Sequence, residues 1–203
     1  MGDLKNAKMF GGIGSILMLV GFFIPSIGLI VTLVGAILVI VAVKQISEEL
    51  KENDIFKNYL MYFILFIISL AALFSILLLT AGAAFSGSLT DILSSQTGGG
   101  FDPSTITENM DIPTLIGGCL LAVAVFWILQ IIAAIFLRKS FNNIGEKANV
   151  GLFGTTGLVY LIGAATLIII IGFIIIFIAL IMQIIAFFSL PEKIEEKPAV
   201  TTA

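Results

Sequence analysis

The chain of 203 residues is 59% hydrophobic and only 11% charged. Soluble domains are roughly 45–50% apolar and about 25% charged, so this composition excludes a soluble fold and predicts an integral membrane protein. The net charge of −3, together with the lack of a basic stripe, argues against a nucleic-acid partner.

Several catalytic chemistries lack the residues they need. The chain has no histidine and a single cysteine, Cys119, which argues against an intrachain disulfide and a Cys/His metal site. Ionisable residues inside a membrane mark pumps, voltage sensors and proteases, and the apolar stretches contain none. A hydrolase also needs a base beside its nucleophile. We therefore predict no catalytic residue, no metal, no cofactor and no enzymatic activity.

Four stretches without a charged residue follow one another at 10–43, 58–90, 112–137 and 148–191. A bilayer core about 30 Å thick needs about 20 helical residues, so the two middle stretches predict one crossing each. At 1.5 Å per residue the first stretch would form a helix of about 51 Å, and the apolar core of the last, 151–190, one of about 60 Å. Each of these two stretches is therefore one overlong helix or a hairpin.

The placement of the basic residues favours two hairpins. Lysine and arginine are enriched in cytoplasmic loops near membrane spans. If both long stretches are hairpins, the chain crosses six times and all ten basic residues lie on one side; with four crossings they divide six against four. We predict an all-α polytopic transmembrane bundle with six crossings and both termini cytoplasmic. Four long helices or five crossings remain as alternatives.

The predicted spans form one integral membrane domain over residues 1–203. They lie near 9–24, 27–46, 59–84, 113–137, 151–168 and 170–190. An outer loop at 85–112 and a disordered tail at 191–203 complete the prediction. The outer loop has acids at Asp91, Asp102, Glu108 and Asp111. Their spacing matches no metal loop, which predicts ordinary negative surface.

The first hairpin has a turn signal in the segment GFFIPSIGLI, residues 21–30. Pro25 suits the second position of a tight turn, and the serine and glycine that follow suit the later positions. One pattern opposes the turn. Gly14, Gly21, Gly28 and Gly35 are spaced by seven and would share a face of one helix kinked at the proline, so that alternative stays open.

The second hairpin has no polar turn, and one long tilted helix starting near Gly157 is its rival. Internal similarity favours the hairpin. GLIVTLVGAILVIVAV from Gly28 aligns with GFIIIFIALIMQIIAF from Gly172, and LVG ending at Gly21 aligns with LIG ending at Gly163. Because apolar sequences align with one another easily, duplication and chance both remain open.

Small residues and amides are the candidate functional positions. In membranes small residues let helices approach closely, and amide side chains bond to neighbouring helices. The candidates for helix packing are Gly14, Gly21, Gly28, Gly35, Gly154, Gly157 and Gly172. The polar intramembrane candidates are Gln130 and Gln183, either as structural bonds or as the lining of a solute path.

Three segments carry a family resemblance: GGIGSILMLVGFFIPSIGLIVTLVGAILVIVAVKQISEE, DIFKNYL and GLVYLIGAATLIIIIGFIIIFIALIMQIIAFFSLPE. They resemble domain-of-unknown-function family 996, a family of uncharacterised, mostly archaeal, multi-pass membrane proteins. The resemblance covers nearly the whole chain except the outer loop and the tails. It implies a prokaryotic cytoplasmic membrane, and it supplies no activity, ligand or catalytic residue.

Two functions fit these features. The first is a structural or interaction protein, a scaffold or subunit in the lipid bilayer whose loops or helix faces meet a membrane or cytoplasmic partner. The alternative is a passive transporter or channel for a small neutral solute. A cavity lined by Gln, Ser or Thr favours transport, whereas a solid bundle packed through glycines favours the structural role.

Overall fold

The computed structural model describes residues 4–95 and 111–192, with side chains over 4–86 and 111–192. Within these residues the chain is helical and contains no strand. The helices are α1 (Lys5–Gly21), α2 (Gly28–Glu49), α3 (Asn53–Ser95), α4 (Ile112–Lys147), α5 (Leu152–Ala165) and α6 (Ile171–Phe188), with a short 3-10 helix (Leu167–Ile169) before α6. The all-α fold class is confirmed. Residues 96–110 of the predicted outer loop and 193–203 of the predicted tail lie outside the described residues.

Among the described helices, α2, α3, α4 and α6 are long and apolar enough to cross a membrane. The other two are apolar but shorter, with 17 residues in α1 and 14 in α5. An α-helix satisfies its backbone polar groups within the segment, which is the requirement that lipid imposes on a spanning segment.

Both overlong apolar stretches fold as helical hairpins. The first turns at residues 22–27, where Pro25 is followed by Ser26 with a φ of 70°. The Ile27 N–H donates to the Pro25 carbonyl at 2.9 Å, and this bond closes a three-residue γ-turn around Ser26. The second stretch turns at residues 166–170 through the 3-10 helix. Neither stretch is a single kinked or tilted helix.

Each of the four short connections has one residue with a positive φ outside glycine: Ser26, Lys51, Asn149 and Ile170. Asparagine adopts such a conformation at modest cost. Ile170 is strained, because a β-branched side chain at φ 64° and ψ −36° lies outside the allowed regions. The strain lies at the start of α6, where residues 168–171 are all isoleucine and the nearest glycine is Gly172.

Ile170→Gly should therefore raise the melting temperature in detergent. The side chain is 76% exposed, so its removal costs little packing. A left-handed conformation costs an L-residue roughly 1–2 kcal/mol, and the extra unfolded-state entropy of glycine offsets part of the gain. We expect a net stabilisation of about 1 kcal/mol or less. The matched control is Ile169→Gly, exposed but with ordinary backbone angles, which should not stabilise. Equal melting temperatures for the two variants would contradict the strain.

Two helices extend further than the apolar stretches indicate. The α3 backbone continues to Ser95, so residues 85–95 are helical and not part of a loop. Phe85, Leu89 and Ile92 recur at helical spacing there, which supports a continuing helix. In the same way α4 continues past Arg138 to Lys147. In the C-terminal part of α4, the side chains of Leu137, Phe141 and Ile144 are buried on one face, and their packing stabilises the helix there.

Asp111, one of the four outer acids, caps α4. Its carboxylate accepts hydrogen bonds from the Thr114 hydroxyl at 2.6 Å and the Thr114 backbone N–H at 3.2 Å. These bonds favour the ionised form and hold the pKa of Asp111 below its usual value. The side chain therefore has a local structural role at a helix N-terminus.

The contacts divide the chain into two compact units. One is built from Met1–Leu65 and Gln130–Ala203, and the other from Phe66–Leu129. In the second unit, the Asp111 N–H donates to the Ala84 carbonyl at 3.2 Å. A Cβ at Gly118 would overlap the Thr80 side chain, so α3 and α4 approach closely there.

In the first unit, α1, α3 and α5 begin where α2, α4 and α6 end. We name this region the charged end. Its contacts connect all six helices in turn: Leu4 with Glu192, Ser47 with Glu52, Ile55 with Ser140, Asn142 with Gly154, and Phe153 with Phe187. The eight described basic residues all belong to segments at this end: Lys5, Lys8, Lys44, Lys51, Lys57, Arg138, Lys139 and Lys147.

Candidate functional site

The first hairpin is held by two pairs of glycines. A Cβ at Gly14 would lie 2.7 Å from the Gly35 carbonyl oxygen, and one at Gly21 would lie 2.7 Å from the Gly28 carbonyl oxygen. Real Cβ atoms do not approach an oxygen so closely, hence only glycine allows this helix separation. The spacing of seven therefore reflects pairing across the turn, since Gly14 and Gly35 lie symmetrically about it, as do Gly21 and Gly28.

The second hairpin repeats the contact nearest the turn. A Cβ at Gly172 would overlap the Gly163 carbonyl oxygen. These are the two glycines that align with Gly28 and Gly21 in the internal similarity. The aligned pairs hence have the same role in the two hairpins, which is the result expected of a duplicated unit.

The remaining predicted glycines bring α5 against α4. A Cβ at Gly157 would lie 3.0 Å from the Arg138 Cα, and one at Gly154 would lie 3.1 Å from the Asn142 side-chain oxygen. Several close contacts lie outside the predicted set, and the one that joins the two hairpins is at Gly11, where a Cβ would overlap the Phe187 ring. The sequence signal was available, because Gly11 precedes Gly14 by three residues on one helix face.

The two hairpins are joined by a buried polar bond. The Gln183 amide on α6 donates to the Ser15 hydroxyl on α1 at 2.9 Å, and that hydroxyl donates to the Gly11 carbonyl at 2.7 Å. Ser15 is fully buried and Gln183 is 3% exposed. The amide thus bonds to a neighbouring helix within the packed interior of the unit.

Gln130, the other predicted amide, lies on α4 at the start of the charge-rich half of that helix. It is 6% exposed, so it is packed and does not face an open surface. Cys119 lies on the same helix within the second unit and is exposed.

A chain of aromatic rings fills the core near the charged end, and sequence reasoning did not find it. Phe141, Phe153 and Phe187 are fully buried, with ring centroids 5.5 Å apart for the first two and 5.1 Å for the last two. The three tyrosines of the chain join this cluster, and the Tyr62 hydroxyl donates to the Tyr160 hydroxyl at 3.2 Å. These residues are far apart in sequence, so no local pattern brings them together.

Hydrogen bonds connect the first and the last described residues of the first unit. The Leu4 N–H donates to the Glu192 carbonyl at 3.0 Å, and the Lys8 ammonium donates to the Leu190 carbonyl at 3.1 Å. Lys8 thereby places its positive charge just beyond the C-terminal end of α6, where a cation is favourable. On the neighbouring elements, Lys147 pairs with Glu52 at 3.2 Å. Residues 4 and 192 hence lie at the same end.

An open apolar pocket of about 370 Å³ lies between the two hairpins near their turns. Its lining residues are Phe22, Phe23, Phe173, Ile174, Ile176, Phe177 and Leu180. The lining side chains are all hydrocarbon, so the pocket offers no hydrogen bond to a polar solute. Among the described residues, no group of three or more His, Cys, Asp or Glu is placed to hold a metal ion.

The class that the fold defines is an all-α protein in which four of the described helices are long and apolar enough to cross a membrane. The chain belongs to the family described as "Protein of unknown function (DUF996)", whose model matches residues 31–181. It is 31% identical over 195 residues to the uncharacterized protein MJ1644 of Methanocaldococcus jannaschii, covering 96% of this chain and 97% of the relative. No solved structure matches the chain.

Proposed function

We propose that this chain is a structural protein of the cell membrane, a scaffold or subunit without enzymatic activity. The observation that supports this role is the Gln183–Ser15 bond, because it places the amide in a helix contact. A transport path would need such polar groups to face a cavity. The described pocket is instead lined by apolar residues.

The packing of the first unit supports the same proposal. Glycine contacts close both hairpins, and the aromatic cluster fills the space near the charged end. A bundle packed this tightly is suited to hold a fixed arrangement of helices. A membrane or cytoplasmic partner would meet it at the exposed helix faces or at the connections.

We also propose that the charged end faces the cytoplasm, with residues 4 and 192 on that side. The eight described basic residues support this orientation, since lysine and arginine near membrane spans are retained on the cytoplasmic side. The prokaryotic cytoplasmic membrane is the corresponding location, supported by the archaeal relative.

Gln183→Leu separates the structural role from transport. If the amide has a structural role, the substitution should lower the free energy of unfolding by on the order of 1 kcal/mol or less, because hydrogen bonds between membrane helices contribute about that much. Flux of small neutral solutes into proteoliposomes should equal that of empty vesicles for both the wild type and the variant. The measurements are the melting temperature in detergent and solute uptake.

Met182→Leu, one residue earlier on α6, is the matched control and should change neither quantity. A wild-type flux above that of empty vesicles, lost in a folded Gln183→Leu protein, would favour the passive transporter or channel. Unchanged stability of Gln183→Leu would mean that the amide bond contributes nothing to helix association.

A further inference from the structure

We infer that the two hairpin tips form an interaction surface for lipid hydrocarbon and end within the bilayer. The tips are residues 22–27, between α1 and α2, and residues 166–170, between α5 and α6. In this arrangement α3 and α4 traverse the membrane, whereas each hairpin enters from the charged end and returns to it.

The first observation is the length of the hairpin arms. From Lys8 to the end of α1 is about 20 Å, and from Lys44 back to the start of α2 is about 24 Å, at 1.5 Å per residue. The whole of α5 measures about 21 Å and the whole of α6 about 27 Å by the same rise. A hairpin reaches no further than its shorter arm. In each hairpin that arm, α1 beyond Lys8 or the 14 residues of α5, falls short of the roughly 17–25 residues of a crossing, although α2 and α6 are long enough on their own.

The two long helices differ in this respect. From Lys57 to Asp91, α3 spans about 51 Å, and from Asp111 to Arg138 the chain spans about 40 Å along α4. Both therefore exceed the bilayer core of about 30 Å between charged residues. The contrast lies within one chain and depends only on helix bounds and the positions of charged residues.

The second observation is what the tips expose. Phe22 is 73% exposed, Ile169 is 68% exposed and Ile170 is 76% exposed. Neither tip contains a charged residue, and the hydroxyls present belong to Ser26 and Thr166. A turn that emerges into water is normally rich in polar residues. These side chains would instead be stabilised by hydrocarbon.

The third observation concerns the backbone of the tips, because hydrocarbon offers no water to exposed N–H groups. In the first tip Pro25 has no N–H, and the Thr166 hydroxyl of the second tip donates to the Ile162 carbonyl at 2.8 Å. Most of the remaining donors bond within the chain. The bonds are Phe23 to Val20, Ile24 to Gly21, Ile27 to Pro25, Gly28 to Ile24, Thr166 to Ile162, Ile169 to Thr166, Ile170 to Leu167 and Gly172 to Thr166.

The apolar pocket belongs to the same surface. Phe22 and Phe23 of the first tip line it together with Phe173 and Phe177 of α6, and the Phe23 and Phe177 rings contact edge to face at 5.8 Å. At this depth the surrounding medium is hydrocarbon. A lipid acyl or isoprenoid chain is therefore the occupant that its chemistry fits.

The distribution of basic residues agrees with embedded tips as well as with crossing hairpins. A hairpin that turns inside the bilayer returns to the side from which it entered. Both arrangements hence place the eight described basic residues, together with residues 4 and 192, on one side. The charge distribution determines which side the hairpin starts from, and the arm length determines how far it reaches.

Thiol accessibility tests the inference. In a Cys119→Ser background, single cysteines replace Ser26, Ile169, Glu49 and Ser95, in open membrane sheets that expose both aqueous faces to an impermeant maleimide. Glu49 is the aqueous control at the charged end, and Ser95 is the control at the far end of α3.

The tip cysteines should react at least about tenfold more slowly than both controls, because a thiol in hydrocarbon does not ionise. Tip cysteines that react as fast as Ser95→Cys would overturn the inference and establish six crossings.

Fluorescence quenching gives a second readout that does not depend on thiol chemistry. In a Trp127→Phe background, Phe23→Trp and Ile169→Trp place the fluorophore on each tip. The vesicles are phosphatidylcholine with bromines along the acyl chains, and iodide serves as the aqueous quencher. Strong quenching by the brominated chains with weak quenching by iodide is expected. Quenching by iodide and not by the brominated chains would overturn the inference.

Discussion

Gly14→Leu should strongly destabilise the first hairpin. A Cβ at Gly14 would lie 2.7 Å from the Gly35 carbonyl oxygen and 2.9 Å from the Leu38 Cβ. The obstacle is partly backbone, so no rotamer change on α2 relieves it and the two helices must separate. Overpacking of a core costs typically 1–3 kcal/mol, and we expect at least the upper end of that range. The measurement is the melting temperature in detergent.

Gly117 and Gly82 provide matched controls on apolar helices, because a Cβ at either position would meet nothing within 4 Å. Leucine at these positions should be tolerated. Substitution by alanine should have opposite effects on stability at the two kinds of position. Gly82→Ala should stabilise by up to about 1 kcal/mol through helix propensity, whereas Gly14→Ala should destabilise. If Gly14→Leu and Gly117→Leu melt at the same temperature, the glycine pairs do not set the helix separation.

The helical class and both hairpins could be predicted from the sequence because their causes are local. Residue composition determines the class, and a charge-free stretch too long for one crossing requires a turn. Pro25 marks the first turn, and no other local signal is needed there. For the second turn the basic residues supplied the argument, since residues 166–170 have no polar turn signal.

The helix ends were less predictable. The predicted spans ended at 84, before a polar segment, and at 137, where charged residues begin. The helices continue because one face remains apolar, as Phe141 and Ile144 show on α4. The length of a membrane span and the length of the helix that contains it therefore differ, and hydropathy predicts only the length of the span.

The candidate site required tertiary information. The sequence indicated that glycines and amides pack helices, but the partners are separated by long stretches of chain. Gln183 bonds to Ser15, 168 positions away, and Tyr62 bonds to Tyr160, 98 positions away. A single sequence contains no signal for such pairs. The four glycines spaced by seven residues show a related difficulty. Glycines on one face of a single helix and glycines on two facing helices can have the same spacing in the sequence.

The contact between Gly11 and Phe187 is the second position where a large effect is expected, and it joins the two hairpins. Phe187 is fully buried, and its ring occupies the space that a Gly11 side chain would need. Gly11→Ala should therefore cost about 1–3 kcal/mol by overpacking. Phe187→Leu should cost about as much, because it leaves a cavity beside Phe153.

Combined in one protein, the two changes should compensate, since the added methyl group enters the space that the ring vacates. Chemical denaturation of all four proteins gives a double-mutant cycle, and we expect the double variant to be more stable than the sum of the single effects by about 1 kcal/mol or more. Gly82→Ala with Phe187→Leu is the control pair, and its effects should add because Gly82 has open space around it. Additive effects for Gly11→Ala and Phe187→Leu would mean that α1 and α6 do not pack through this contact, and the tie between the hairpins would then depend on the Gln183–Ser15 bond.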